Sequence, residues 1–262
     1  PDMAVGRMGR GWGPWRPRWT GLTAALYPEA MPGAQGSAEA EEDREAAALL
    51  WGTGAAQAIA QFEAGEAEAV FGGRFDDWPL VQAADIPGER IIADPAAGLF
   101  GLAVVSERGL LATAEGRAAV SMAIDRAAIA ALIDAPTYAA RVTLRTTGEE
   151  GAPPPTLPAW QPLDRAARIA RARAAAAAAE DVELRIALPD GLGARLLFAR
   201  LERDLAEAGI AVRRVAMGAD ADLRLIDEVA PSSDPAWVLR RLGCERGLAC
   251  DPATREALSA ID

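Results

Sequence analysis

The order of elements between Val182 and Ile226 restricts this chain more than any other feature. Val182 to Leu188 alternates as a strand does, and Leu192 to Glu207 is amphipathic with a helical period. Gly209 ends that helix, and Ile210 to Val215 and Ala221 to Ile226 are strand-like again. Short parallel strands joined through a helix must be covered on both faces. The fold class is therefore α/β, a mixed sheet covered by helices.

The same alternation runs through the middle of the chain. Thr53 to Ala64 reads as a helix with Ala55, Ile59 and Phe62 on one stripe. Gly65 is placed to end it in the left-handed conformation. Ala69 to Phe71 is predicted as a short buried strand, and Ile91 to Ala93 and Leu99 to Val105 have the apolar runs of further buried strands. Glu115 to Ala123 and Arg126 to Ile133 are helical, with Asp125 between them as the cap of the second.

With 262 residues the chain can form one large domain or two modest ones. Net charge is −11. Such an acidic surface repels phosphate backbones and excludes nucleic acid as a partner. The sequence has no His, so Ser-His hydrolysis and His-ligated zinc are excluded. It contains no G-x-S-x-G, P-loop or G-x-G-x-x-G motif, and nothing implies a cofactor or an enzyme. No apolar run reaches the ~18 residues of a membrane span. Cys244 and Cys250 are spaced C-x5-C, which suits a local disulfide in an oxidising compartment or two buried thiols in the cytosol.

Residues 1–38 are rich in Gly, Pro and Trp and read as an irregular entry segment. Glu45 to Trp51 reads as a strand. Residues 148–162 form a Pro-rich linker, since Pro153-Pro154-Pro155 and Pro158 oppose helix and sheet alike. Asp164 to Glu180 is a strong helix by propensity, and its arginines read as a solvated face.

The loop Gly72 to Pro79 combines a cation, two carboxylates and two aromatics, the mixture a small-ligand pocket needs. It follows the expected strand, where α/β folds place ligand contacts. Arg74 can hold a carboxylate in a bidentate pair, and Trp78 supplies a flat apolar wall, with Phe75 and Asp76 beside them.

Three motifs together resemble the solute-binding proteins of peptide and nickel ABC importers, the extracytoplasmic binders called family 5. The first is helix, Gly65-Glu66, apolar run; the second is "G-R-A-A-V-S-M-A-I-D-R-A-A-I" over residues 116–129; the third is "G-W-G-P-W" at residues 11–15. The resemblance implies a periplasmic binding protein-like fold, with residues 1–226 in the second of two lobes and 227–262 crossing back toward the first. The chain reads as a fragment covering mainly that second lobe. It implies a periplasmic or membrane-anchored extracytoplasmic monomer that captures a peptide-like or other small ligand between its lobes and delivers it to an ABC permease. Trp12 and Trp15 join the loop residues as candidate ligand contacts. Residues 227–235 are similar to the family's "G-W-x-x-D-Y-x-D-P". The Asp that pairs with a peptide's α-amine is Pro231 here, and the Tyr is Ser232. That departure speaks against ordinary peptide binding, while Asp234 keeps the position of a helix cap. A rival reading is the ligand-sensing domain of a cytosolic transcriptional regulator, where the same binding fold also occurs.

Overall fold

The computed structural model describes residues 15–28, 46–92, 97–135, 138–144 and 155–230, together with Trp237 and Arg241. Trp12, Pro231, Ser232, Asp234, Cys244 and Cys250 lie outside the described residues. The chain divides into two compact units, Pro1–Gly72 and Gly73–Asp262.

The first unit contains a three-stranded antiparallel sheet of β1 (Trp15–Thr20), β2 (Thr23–Pro28) and β3 (Ala48–Trp51) in the order β1-β2-β3. The entry segment expected to be irregular therefore holds a hairpin. Thr20 and Thr23 pair across a two-residue turn in which Gly21 takes a positive φ, and Trp and Thr have high strand propensity despite Pro17 between them. Helix α1 (Ala55–Glu63) follows, within the expected span. Its end closes as the sequence predicts: Gly65 has φ 73° and donates to the Phe62 carbonyl at 3.1 Å. The next amide, Glu66, reaches back to the Gln61 carbonyl at 2.8 Å.

Beyond that turn two strand expectations fail. Ala69 to Phe71 forms no strand, and Phe71 is 82% exposed. Ile91 and Ile92 are also outside any strand, with Ile92 exposed. Both apolar stretches are short, and among the described residues neither pairs with a strand.

That second sheet has the order β4-β7-β5-β6, from β4 (Gly98–Val104), β5 (Glu183–Ala187), β6 (Ala211–Val215) and β7 (Leu223–Val229). Strands β5, β6 and β7 run parallel and β4 antiparallel to β7, a mixed sheet as expected. Helix α2 is Trp78–Ala83, α3 Ala114–Ala123, α4 Arg126–Ile133, α5 Arg165–Ala177 and α6 Leu192–Glu207. In α6 the buried residues Ala194, Leu197, Leu201 and Leu205 recur at three- and four-residue steps. They meet Leu184 and Ile186 of β5, Leu223 and Leu225 of β7 and the small residues of α3 and α5 in one core. Of the Pro-rich linker, residues 155–162 are described, and Trp160 among them is buried in that core.

The Ala-Ile-Asp-Arg motif is a corner between helices. Asp125 accepts from the Ala128 N–H at 3.1 Å and caps α4, as predicted. Arg126 turns back to donate to the Ser121 carbonyl at 2.8 Å, near the end of α3. The arginines of α5 do more than face solvent. Arg165 reaches Glu207 at 2.8 Å and the fully buried Asp204 at 3.4 Å, both on α6. Asp204 is also held by Arg200 at 2.8 Å and by the Asp125 N–H at 2.9 Å. Burial pushes the Asp125 carboxyl up, but the Ala128 amide, Arg165 and Arg200 outweigh it and hold the group below its ordinary value.

Candidate functional site

The loop from Arg74 to Trp78 is fixed by its own turn chemistry before anything packs on it. The Arg74 N–H donates to Asp77 Oδ2 at 3.0 Å, and the Asp77 N–H returns to the Arg74 carbonyl at 2.9 Å. Trp78 then opens α2, with Pro79 in its first turn, where a missing amide proton costs nothing.

Phe75 faces inward and is buried. It meets Phe100 of β4 edge-on, with centroids 5.1 Å apart, and Phe100 meets Tyr138 the same way at 5.2 Å. Asp76 points to the start of α6, where its Oδ1 accepts the Ala194 N–H at 2.7 Å and its carbonyl accepts the Gly193 N–H at 3.1 Å. The approach is so close that a Cβ at Gly193 would stand 2.4 Å from the Phe75 carbonyl oxygen, so only glycine fits. Phe75 and Asp76 thus spend their side chains inside the protein. Arg74 is exposed. Trp78 is half-buried, and its enclosed indole Nε1–H has no acceptor among the described residues.

The aromatic ladder leads to a carboxylate absent from the sequence-derived candidates. Asp227 on β7 lies directly across from Phe100 on β4. It continues the face of Leu223 and Leu225 past the point where β5 stops pairing, since β5 meets β7 only at Leu223 and Arg224. The Tyr138 hydroxyl donates to Asp227 Oδ1 at 3.4 Å. Burial, followed by the charges of Asp76 and Glu228, pushes the Asp227 carboxyl up, while Arg74 and the Tyr138 hydroxyl partly offset the rise. Burial, with the Asp227 charge and hydrogen bond, pushes Tyr138 up to about 12. The signal for Asp227 was present in the sequence: a charge at the third step of the period-two series Leu223, Leu225, Asp227. Tyr138 carries no such signal.

The aromatic ladder and the Arg74 charge therefore place Arg74, Tyr138 and Asp227 in one neighbourhood of the second unit, with Trp78 at the far end of the same loop as Arg74. It offers a guanidinium and a carboxylate in a partly apolar setting. Trp15 belongs to β1 in the first unit, half-exposed. Among the described residues no group of three or more Asp, Glu, His or Cys could hold a metal ion.

No protein-family model and no curated protein sequence matches the chain. Solved structures do. The Escherichia coli murein tripeptide binding protein MppA superposes with a TM-score of 0.62 at 17% identity, over 78% of this chain and 43% of its own. NikA from Brucella suis, in complex with Fe(III)-EDTA, gives 0.56 at 16% identity, over 95% of this chain and 58% of its own. A substrate binding protein from Microbacterium hydrocarbonoxydans, complexed with 4-hydroxybenzoate hydrazide, gives 0.56 at 17%, over 96% and 55%. The fold is that of a substrate-binding protein. The chain spans about half the length of these solved structures. The fold expected from the motif resemblance is the fold observed, and among the described residues no helix is long and apolar enough to cross a membrane.

Proposed function

We propose that this chain is part of the extracytoplasmic solute-binding component of an ABC importer. It contributes mainly the second lobe and closes on a small ligand that is then passed to a membrane permease. The observation that carries this reading is the substrate-binding-protein fold extending over nearly the whole chain, with Arg74 and Trp78 presented on a loop pinned at both sides. Arg74 orients an anionic or carbonyl group, and Trp78 packs on an apolar portion. Phe75 and Asp76 serve by holding that loop. The role is binding without chemistry, and the protein is not an enzyme.

The solved neighbours were crystallised with, or are named for, a murein tripeptide, a ferric chelate and an aromatic hydrazide. All three ligand types carry carboxylate or carbonyl oxygens that suit Arg74. The Pro231 substitution favours the non-peptide end of this range. Thermal denaturation of the full-length protein with an alanine tripeptide, Fe(III)-EDTA or 4-hydroxybenzoate hydrazide tests the reading. A ligand at about 100 times its Kd adds roughly 2.7 kcal/mol, so at least one compound raises Tm by several degrees. An unchanged Tm with all three contradicts it.

A further inference from the structure

Two arginines meet where α3, α4 and α5 join, and among the described residues no carboxylate bonds to either. Arg126 reaches over the end of α3. Its Nη1 donates to the Ser121 and Ile124 carbonyls at 2.8 and 3.4 Å, and its Nη2 donates to Ser121 Oγ at 2.8 Å. The same guanidinium lies 5.7 Å from the centre of the Trp160 ring. Trp160 belongs to the turn that leads into α5: its carbonyl accepts the Leu163 N–H at 3.0 Å, and Asp164 caps the helix through the Ala167 N–H at 2.8 Å. The Asp164 carbonyl then accepts the Arg168 N–H at 3.0 Å, which sets Arg168 in the first turn of α5. Burial, followed by the Arg168 charge, pushes the Arg126 guanidinium below its ordinary value.

Two like charges side by side, partly out of water, disfavour the fold unless something answers them. Arg168 is half-buried, its Nε–H is enclosed without an acceptor, and no hydrogen bond or ion pair holds its guanidinium among the described residues. Acids are not scarce, at 38 against 27 basic residues, yet those nearby are committed elsewhere. Asp125 feels the Arg168 charge but is held by the Ala128 N–H at 3.1 Å and by Arg200 at 3.1 Å, with Arg165 at 3.9 Å. Asp204 is taken by Arg200 and Arg165, and Glu207 by Arg165. We propose that Arg126 and Arg168 together bind a small oxyanion of the phosphate class. A guanidinium has five N–H donors, so Arg126 keeps donors beyond its three bonds and Arg168 keeps its full set. Guanidiniums on two different helices offer donors from two directions, which suits tetrahedral oxygens better than the single planar fork that a carboxylate matches. The net charge of −11 repels anions at long range, so binding rests on these short contacts. The site shares no residue with the Arg74 loop, and it stands or falls separately from the ligand reading.

Thermal denaturation of the full-length protein in inorganic phosphate, at ionic strength held constant with sodium chloride, tests it. Phosphate raises Tm of any protein through exclusion from its surface, so the site is read as an additional, saturable rise of several degrees. Wild type and Arg171→Gln show that rise, and Arg168→Gln loses it. Without phosphate Arg168→Gln melts no lower than wild type, because the change removes a repulsion and no bond. An equal phosphate gain in wild type and Arg168→Gln overturns the proposal, as does a clearly lower Tm of Arg168→Gln without phosphate. Acetate that reproduces the saturable rise overturns the phosphate class. The protein is also expected to stay in the supernatant with phosphatidylglycerol vesicles; sedimentation that Arg168→Gln abolishes overturns a free oxyanion in favour of a lipid headgroup.

Discussion

Asp76 Oδ1 accepts the backbone N–H of Ala194 at 2.7 Å, so a loop residue caps a helix that begins 115 or more residues later in the chain. The bond does two things at once. It satisfies an orphan amide of the first turn of α6, and it ties the loop that carries Arg74 and Trp78 to the start of that helix. An Asn at this position keeps an acceptor oxygen, whereas Ala removes it. Asp76→Ala is expected to cost about 1 kcal/mol and Asp76→Asn distinctly less, as chemical denaturation measures. If Asn and Ala lower stability equally, the cap is not what Asp76 contributes.

Gly193→Ala tests the same junction by bulk. Its Cβ would lie 2.4 Å from the Phe75 carbonyl oxygen and 2.8 Å from Asp76 Cα, both backbone atoms that cannot rotate away. Overpacking of this kind costs roughly 1–3 kcal/mol, and a Tm equal to wild type would show that the loop is not pressed against α6.

Asp204 is fully buried with Arg200 at 2.8 Å and Arg165 at 3.4 Å. Removing one partner of a buried ion pair leaves the others uncompensated, at about 3–5 kcal/mol. Asp204→Ala is therefore expected to be the most destabilising single change in the α5–α6 junction, and urea unfolding should show it. Arg173→Ala, which loses one bond to the Glu207 carbonyl at an exposed position, serves as the mild comparison.

The Asp227 carboxyl is raised by burial and by Asp76 and Glu228. A group raised in the folded state contributes stability that is complete below its unfolded value and lost as pH rises through the folded one. At neutral pH the ionised Asp227 therefore weighs against the fold. Asp227→Asn is expected to raise Tm at pH 7, and the gain should shrink as pH falls toward the ordinary carboxylate range. A gain that grows on acidification would reverse the assigned sign.

Much of this architecture was legible because local chemistry and tertiary fold agree. The alternation in Val182–Leu188 and Leu192–Glu207, the capping Asp125 and the left-handed Gly65 each specify their own conformation over a few residues. Ala69–Phe71 and Ile91–Ile92 misled because apolar character alone does not supply a neighbouring strand. Trp15–Thr20 was hidden for the opposite reason: Pro and Gly nearby masked a hairpin that pairing with Thr23–Pro28 stabilises. In the loop, composition marked Arg74 to Trp78 as a group but could not sort it. Phe75 was assigned inward by Phe100, and Asp76 by Ala194, both distant in sequence. Tyr138 joined the site only through the fold.

The central claim is that Arg74 and Trp78 are presented to a bound small molecule. Native mass spectrometry of the full-length protein, purified without denaturation from its own host, tests it most directly. Wild type is expected to carry a discrete small-molecule adduct that is depleted in both Arg74→Ala and Trp78→Ala, with folding intact by circular dichroism. Equal adduct occupancy in wild type and both variants would contradict the account.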